Sequence, residues 1–435
     1  MIKILQVRNI DSFVESRRQK TSEKDRKTVQ SILNDVKRNG DSAVKKYEQK
    51  FNGRKTSQLR VSEKEIKEAR SKISWQERKA IGEAQFELTV SQNLFLWGRG
   101  GLHSAAKLDD RDGLAKSFVP IPSVGCYIPG GQARYPSSAV MSIMPARKAG
   151  VKRIVVVSPP GRDGKIDPLT MVAAKACGAT EIYKVGGAQA IGALAYGTKS
   201  IPKVDKIVGP GGKFVSIAKS LVSDQTSIDM VAGPSELGII ADASSDPELV
   251  ALDLISQAEH SNDTMCFVIT QSKIMAKQIQ KSIEKLIPGT ERSSIIKESI
   301  SKNGFIVVCK SQNEIVELAN KIAPEHMELM VKNARSLSKK ITGAGLLLVG
   351  KNTPSAASDY LLGTNHILPT NGFGRTRGGL GVLDFLKLQT VIESKKSGLR
   401  TILKSLKALT DAEDLPNHYK AVKRRLERTK NFKRN

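Results

Sequence analysis

The chain has 435 residues, 39% hydrophobic and 26% charged. That excludes a small disulfide-stapled module and a fully disordered chain, and at roughly 100–200 residues per domain it predicts about two to four domains. Lys+Arg is 70 against 43 Asp+Glu, a net charge of +27, which favours anionic ligands and makes a nucleic-acid binder one alternative. Aromatics at 5% speak against that alternative, because single-strand binders interleave stacking platforms with their cations.

The N-terminus, Met1–Gln6, lacks an apolar signal core. No run approaches the roughly 20 apolar residues that span a bilayer. A soluble, cytoplasmic protein without membrane or specific nucleic-acid partners is expected. The four cysteines, Cys126, Cys177, Cys266 and Cys309, form no CxxC knuckle. They read as reduced core residues, not as a thiolate zinc site.

Residues 11–92 place Ile32-Leu33, Val36 and Val44 on one helical face and Ile66, Ala69 and Ile73 on another, which predicts a helical N-terminal region. Gly98, Gly100 and Gly101 mark a break. From about residue 120 short apolar strands alternate with helices. The strands are Val124–Ile128, Ile154–Val157, Glu181–Val185 and Lys206–Val208. The helices are Ser137–Ala149, Leu169–Cys177, Gln189–Tyr196 and Phe214–Leu221. One helix per crossover implies a parallel sheet.

The pattern restarts with a strand at Gly238–Ala241. A helix opened by Asp246 and Pro247 follows, running to about His260. Next come strand Cys266–Thr270, a basic helix over 273–287, and strands Phe305–Cys309, Glu328–Val331 and Leu346–Val349. Residues 371–381 form a glycine-rich loop, followed by a helical tail in which 395–435 hold thirteen Lys/Arg and four Asp/Glu. The expected division is 1–119, a helical region; 120–235 and 236–385, two successive incomplete Rossmann-like α/β domains; and 386–435, a basic helical, dimer-forming tail.

Of the five histidines, His260, His326 and His366 have polar company: Gln257-Ala258-Glu259-His260, Pro324-Glu325-His326, and Gly363-Thr364-Asn365-His366 after Asp359. His103 has none and reads as a surface or core residue. Gln257 and His260 share a helix face at i,i+3, and with a carboxylate such as Asp359 they suit an N/O metal site, zinc or manganese. Glu325-His326 pairs a carboxylate with a base near neutrality. Gly186-Gly187 and Gly209-Pro210-Gly211-Gly212 sit at strand-to-helix turns, where parallel sheets meet nucleotides.

Taken together, the segments resemble the histidinol dehydrogenase family. They are Pro122–Gly131, Gly186–Ile191, Ile228–Glu236, Gln257–His260, Pro324–His326, Ser358-Asp359 with Gly363–His366, and Gly381–Phe385, in the family's order. The resemblance implies oxidation of L-histidinol to L-histidine through the aldehyde, with two hydride transfers to NAD, the last step of histidine biosynthesis. It implies a zinc ion on Gln257, His260, Asp359 and His418. Ser235, His366 and Glu413 would contact substrate along with Gln257, His260, His326, Asp359 and His418. Glu325 and His326 would be the acid–base pair, and Tyr127, Gln189 and Gly212 would meet NAD. It further implies an intertwined homodimer with shared sites. Gly212 departs from the family's usual Asn, so a side-chain contact to the cofactor is missing there. Two other functions compete with this one: a zinc- and NAD-dependent dehydrogenase of the same fold acting on another small polar alcohol, and the basic nucleic-acid binder.

Overall fold

The structure, a computed structural model, describes residues 1–18, 21–53, 58–97, 114–130, 134–231 and 233–427. The break at Gly98–Gly101, His103, Gly131 and Ala232 lie outside them. In chain order the strands are β1 (Lys3–Leu5), β2 (Leu114–Pro120), β3 (Ser123–Tyr127), β4 (Arg153–Ser158), β5 (Glu181–Lys184), β6 (Lys206–Val208), β7 (Ser227–Ile228), β8 (Glu236–Ala241), β9 (Met265–Thr270), β10 (Phe305–Val308), β11 (His326–Met330), β12 (Leu346–Val349) and β13 (Leu386–Ile392). The chain forms two compact units, one of 1–92 and 120–385 and one of 93–119 and 386–435.

The first unit is α/β. Its first sheet runs β5-β4-β3-β6-β7 and its second β1-β10-β9-β8-β11-β12. Every pairing in both is parallel. Without β1, the second order repeats the first: two strands count outward on each side of the founding strand, β3 in the first sheet and β8 in the second. This supports the internal duplication suggested by the restarting pattern. Near-continuous apolar runs such as Arg153–Ser158 and Met265–Thr270 are buried, as strands covered on both faces must be.

Helices Glu23–Asn39 and Asp41–Asn52 cover the first sheet. Leu33 and Val36 press on the helix Gly187–Tyr196 at Gly192, where an added Cβ would stand 3.2 Å from Leu33 Cδ2. The N-terminal region is thus not purely helical. Lys3-Ile4-Leu5 pairs with β10, and Phe13 of the next helix meets Phe305 edge-on at 5.3 Å.

The carboxyl edge of the second sheet is tied shut. Lys332 N–H donates to Asp242 Oδ2 (3.0 Å) and Asp242 N–H to Ser245 Oγ (2.9 Å), while the Ser245 hydroxyl donates to the Met330 carbonyl.

In the second unit, β13 and β2 pair, so the tail expected to be helical opens with a strand. Leu386-Lys387-Leu388-Gln389-Thr390-Val391-Ile392 alternates and is rich in strand formers, but its partner lies more than 260 residues earlier. Helices Lys396–Ala412 and Pro416–Glu427 follow, and Thr410 is the one buried residue on either. No described helix is long and apolar enough to cross a membrane.

Candidate functional site

A cavity of about 700 Å³ opens in the first unit between the two sheets. The first sheet contributes the segments just beyond the carboxyl ends of β3 and β6, Pro129 and Pro210–Lys213. These two strands flank the point where the strand order reverses, the place where open parallel sheets bind ligands. The second sheet faces the cavity with its amino ends: Gly233–Ser235 before β8, and Glu325-His326 at the start of β11.

Local chain geometry puts the Glu-His pair there. Helix Gln312–Ile322 ends on Ala323 in the left-handed region (φ 50°), and Pro324 cannot continue it. Glu325 then enters the sheet, its carbonyl accepting from Leu346 N–H at 2.9 Å. His326 lies between Leu237 and Leu346 of the flanking strands. Two residues on, Glu328 Oε1 accepts from Ser355 N–H (2.6 Å) at the start of helix Ser355–Ser358. That helix ends at Asp359, which brings Asp359 Oδ1 to 3.2 Å from His326 Nε2.

Glu325 and His326 are buried. Glu325 Oε2 accepts from Glu236 N–H (3.0 Å), Glu236 Oε2 from Glu325 N–H (3.2 Å), and Glu236 Oε1 from Asn371 N–H (2.9 Å). Burial pushes the Glu325 carboxyl up to about 8, with the His326 charge opposing. Burial works against charge on His326 as well, but the Asp359 hydrogen bond and the Glu325 field outweigh it and raise the imidazole to about 9. His326 Nδ1 is 4.0 Å from Glu325 Oε2 and is a buried nitrogen without a hydrogen-bond partner. Asp359 is desolvated too, yet the His326 bond keeps its carboxyl below the usual range. His366 bridges the walls, with Nδ1 2.8 Å from the Asp359 carbonyl and Nε2 3.2 Å from Ser138 Oγ.

Eight residues singled out from sequence line this cavity: Gly212, Ser235, Gln257, His260, Glu325, His326, Asp359 and His366. Gln257 is on helix Pro247–Ala258, and His260 is in the turn after it, its N–H donating to the Gln257 carbonyl. Among the described residues no three or more His, Cys, Asp and Glu side chains are gathered for a metal ion. Glu413 and His418 belong to the second unit and are exposed.

Tyr127 and Gln189 are buried and do not line the cavity. The Tyr127 hydroxyl accepts from Gly187 N–H (3.1 Å), and Gln189 Nε2 donates to Glu48 Oε1 (2.8 Å). Of the two glycine turns, the one at 209–212 lines the cavity through Pro210–Gly212, and 186–187 does not. Ser138, Glu236 and Asn371 were given no role from sequence. The one local signal was a carboxylate, Glu236, opening an otherwise apolar strand.

The chain matches the family described as histidinol dehydrogenase over residues 15–426. It is 43% identical over 406 residues to a histidinol dehydrogenase of Methanococcus maripaludis, covering 92% of this chain and 93% of that one. It is 41% identical to that of Methanocaldococcus jannaschii over 402 residues, 92% of each. The crystal structure of histidinol dehydrogenase from Elizabethkingia anophelis superposes with a TM-score of 0.89 at 32% identity, covering 98% of both chains.

Proposed function

Because the chain belongs to the histidinol dehydrogenase family, we propose that it oxidises L-histidinol to L-histidine through L-histidinaldehyde, with two NAD+ reduced, as a cytoplasmic enzyme. One observation carries this reading: a buried acid–base pair shares a cavity with an N/O donor set and with the turn at the first sheet's switch point.

The donors fit zinc. An amide oxygen, an imidazole and a carboxylate held ionised are borderline-to-hard ligands, and Gln257, His260 and Asp359 line the same cavity. His418 is proposed as the fourth. When bound, zinc supplies a redox-silent charge that orients the substrate's nitrogens. The first sheet fits NAD. Pro210–Gly212 lead into the helix Lys213–Val222, whose N-terminus favours a pyrophosphate. Arg26 lines the cavity too, as do Arg134, ion-paired with Glu77 and Asp167, and Lys213, ion-paired with Asp25. Tyr127 and Gln189 are proposed to shape the adjoining turn from beneath, and Gly212 to meet the cofactor through its backbone.

In the first oxidation NAD+, when bound, would accept hydride from the alcohol carbon, and the hydroxyl proton goes to the neutral form of His326. That is the minor form at pH 7 for an imidazole raised to about 9, so this step should speed up as pH rises. Nε2 rests on Asp359, which stabilises the imidazolium, so the proton is taken at Nδ1, the ring nitrogen without a partner. In the second, Glu325 removes a proton from water as it adds to the aldehyde, and a second hydride transfer gives the acid. Ser235, His366 and Glu413 are proposed to hold the substrate. A thioester route is not invoked, since all four cysteines are buried.

An intertwined homodimer is proposed as well. A second unit with a single buried residue on its two long helices exposes Leu388, Val391, Ile392, Ile402 and Leu409, apolar side chains that a partner subunit would cover. NADH formation from histidinol, before and after chelation, tests the activity. Histidinol-independent or absent NADH formation by metal-loaded protein would refute it.

A further inference from the structure

We propose that the buried ion pair Lys219–Asp229 is a positioning pair that holds the cofactor turn and the substrate-facing segment in register. This rests on the reading above.

Lys219 and Asp229 are 2% and 4% exposed, with Nζ 2.5 Å from Oδ1. Both partners also grip one residue. Lys219 Nζ donates to the Gly209 carbonyl (2.9 Å), and Gly209 N–H donates to Asp229 Oδ2 (2.8 Å). The two polar backbone groups of Gly209 therefore depend on a single pair. Gly209 is where the chain turns at the sheet's switch point. Its φ is +112°, and an added Cβ would stand 2.2 Å from the Tyr127 carbonyl oxygen. The next residues, Pro210–Gly212, are cavity wall.

Asp229 roots the opposite wall. Its Oδ1 accepts from Met230 N–H (2.6 Å), and the chain runs on to Gly233–Ser235, which face the cavity. The glycine-rich loop joins at the same point. Arg377 donates to the Asp229 carbonyl and pairs with Asp384 (2.6 Å), whose other oxygen accepts from Gly381 N–H (2.9 Å). The 209–212 turn, the helix bearing Lys219 and the glycine-rich loop thus converge on one buried residue, Asp229, the first two through its carboxylate and the third through its backbone carbonyl.

A stabilising role alone is a poor account of this pair. Desolvating two charges offsets most of their attraction, and apolar replacements of whole buried pairs are often as stable. What such a replacement cannot supply is directed hydrogen bonds to Gly209. Stability and cofactor affinity should therefore separate.

The test is K219M/D229N, which removes both charges and keeps an acceptor for Gly209 N–H. It is read by calorimetric titration with NAD+, by KM and kcat, and by thermal melting. A melting midpoint within a few degrees of wild type, with NAD+ bound at least tenfold more weakly and KM rising more than kcat falls, is expected. A folded double variant that binds NAD+ like the wild type overturns the proposal. If that variant does not fold, K219Q/D229N, a shorter neutral pair, replaces it: weakening of at least threefold supports the pairing and unchanged binding overturns it. Wild-type protein that binds no NAD+ overturns the functional reading itself, and this inference falls with it.

Discussion

Replacing Glu325 by Gln separates the two oxidations. The amide keeps an oxygen where Glu325 Oε2 now accepts from Glu236 N–H, so the fold should survive while the base is lost. A positioned base contributes about 10²–10⁴-fold, equivalent to about 3–5 kcal/mol of barrier. That loss is expected in oxidation of supplied histidinaldehyde, with far less in the first hydride transfer from histidinol. His326→Ala should instead slow histidinol oxidation strongly. Burial, the largest cause of the shift, holds Glu325 near 8, so about one-tenth is ionised at pH 7. The wild-type aldehyde step should therefore climb close to tenfold per pH unit below about 8 and flatten above it. The same shift has a stability signature. A carboxyl whose folded value is raised from 4.5 to about 8 favours the fold while protonated, and that contribution fades as pH rises through this window. The melting midpoint of Glu325→Gln relative to wild type should thus improve from pH 5 to pH 8. Single-turnover NADH formation from each substrate decides the kinetic question. Equal losses on both steps, or a flat pH profile for the aldehyde step, would refute the division of labour.

Gly209→Ala forces a side chain into left-handed backbone and into the Tyr127 carbonyl, and should destabilise by about 2–5 kcal/mol. Gly212→Ala, three residues away at φ −64° with nothing within 4 Å of the new Cβ, should be neutral or stabilising by up to about 1 kcal/mol; melting curves compare them. Prolonged chelation should abolish turnover and added zinc restore it, and full turnover by verified metal-free enzyme would end the zinc proposal. Mixing His326→Ala with His418→Ala subunits should regain activity if sites are shared, whereas verified heterodimers that stay inactive would place His418 in its own chain's site.

The two sheets were legible because doubly covered parallel strands are short apolar runs with helical runs between them. Lys206–Val208 and Leu346–Val349 fall where the sequence set them. β1 escaped because three residues carry no period, and pairing with β10 is what makes them a strand. β13 escaped because its partner is remote. At the site, residue types and spacing suggested Glu325-His326 and Gln257/His260, but distance in sequence hid how they meet. His326 finds Asp359 through a helix start pinned by Glu328. The burial of Gln189 depends on Glu48, a residue of an N-terminal helix with no motif of its own. Asp229 and Glu236 stood inside a recognisable motif, yet their roles are defined by backbone amides of distant loops.

The closed carboxyl edge of the second sheet has a practical use. The proposed acid–base pair and Ser235 lie at the amino ends of β11 and β8, and five residues of strand, on the order of 17 Å, separate them from the opposite rim. Ala243 and Ser244 are exposed on that rim, in a turn anchored by Asp242 and Ser245 on either side. Short exposed turns of this kind accept inserted sequence when the anchoring bonds are kept. A dye-labelling peptide or surface tether spliced between Ala243 and Ser244 would immobilise the enzyme with its cavity facing away from the support and its turnover intact.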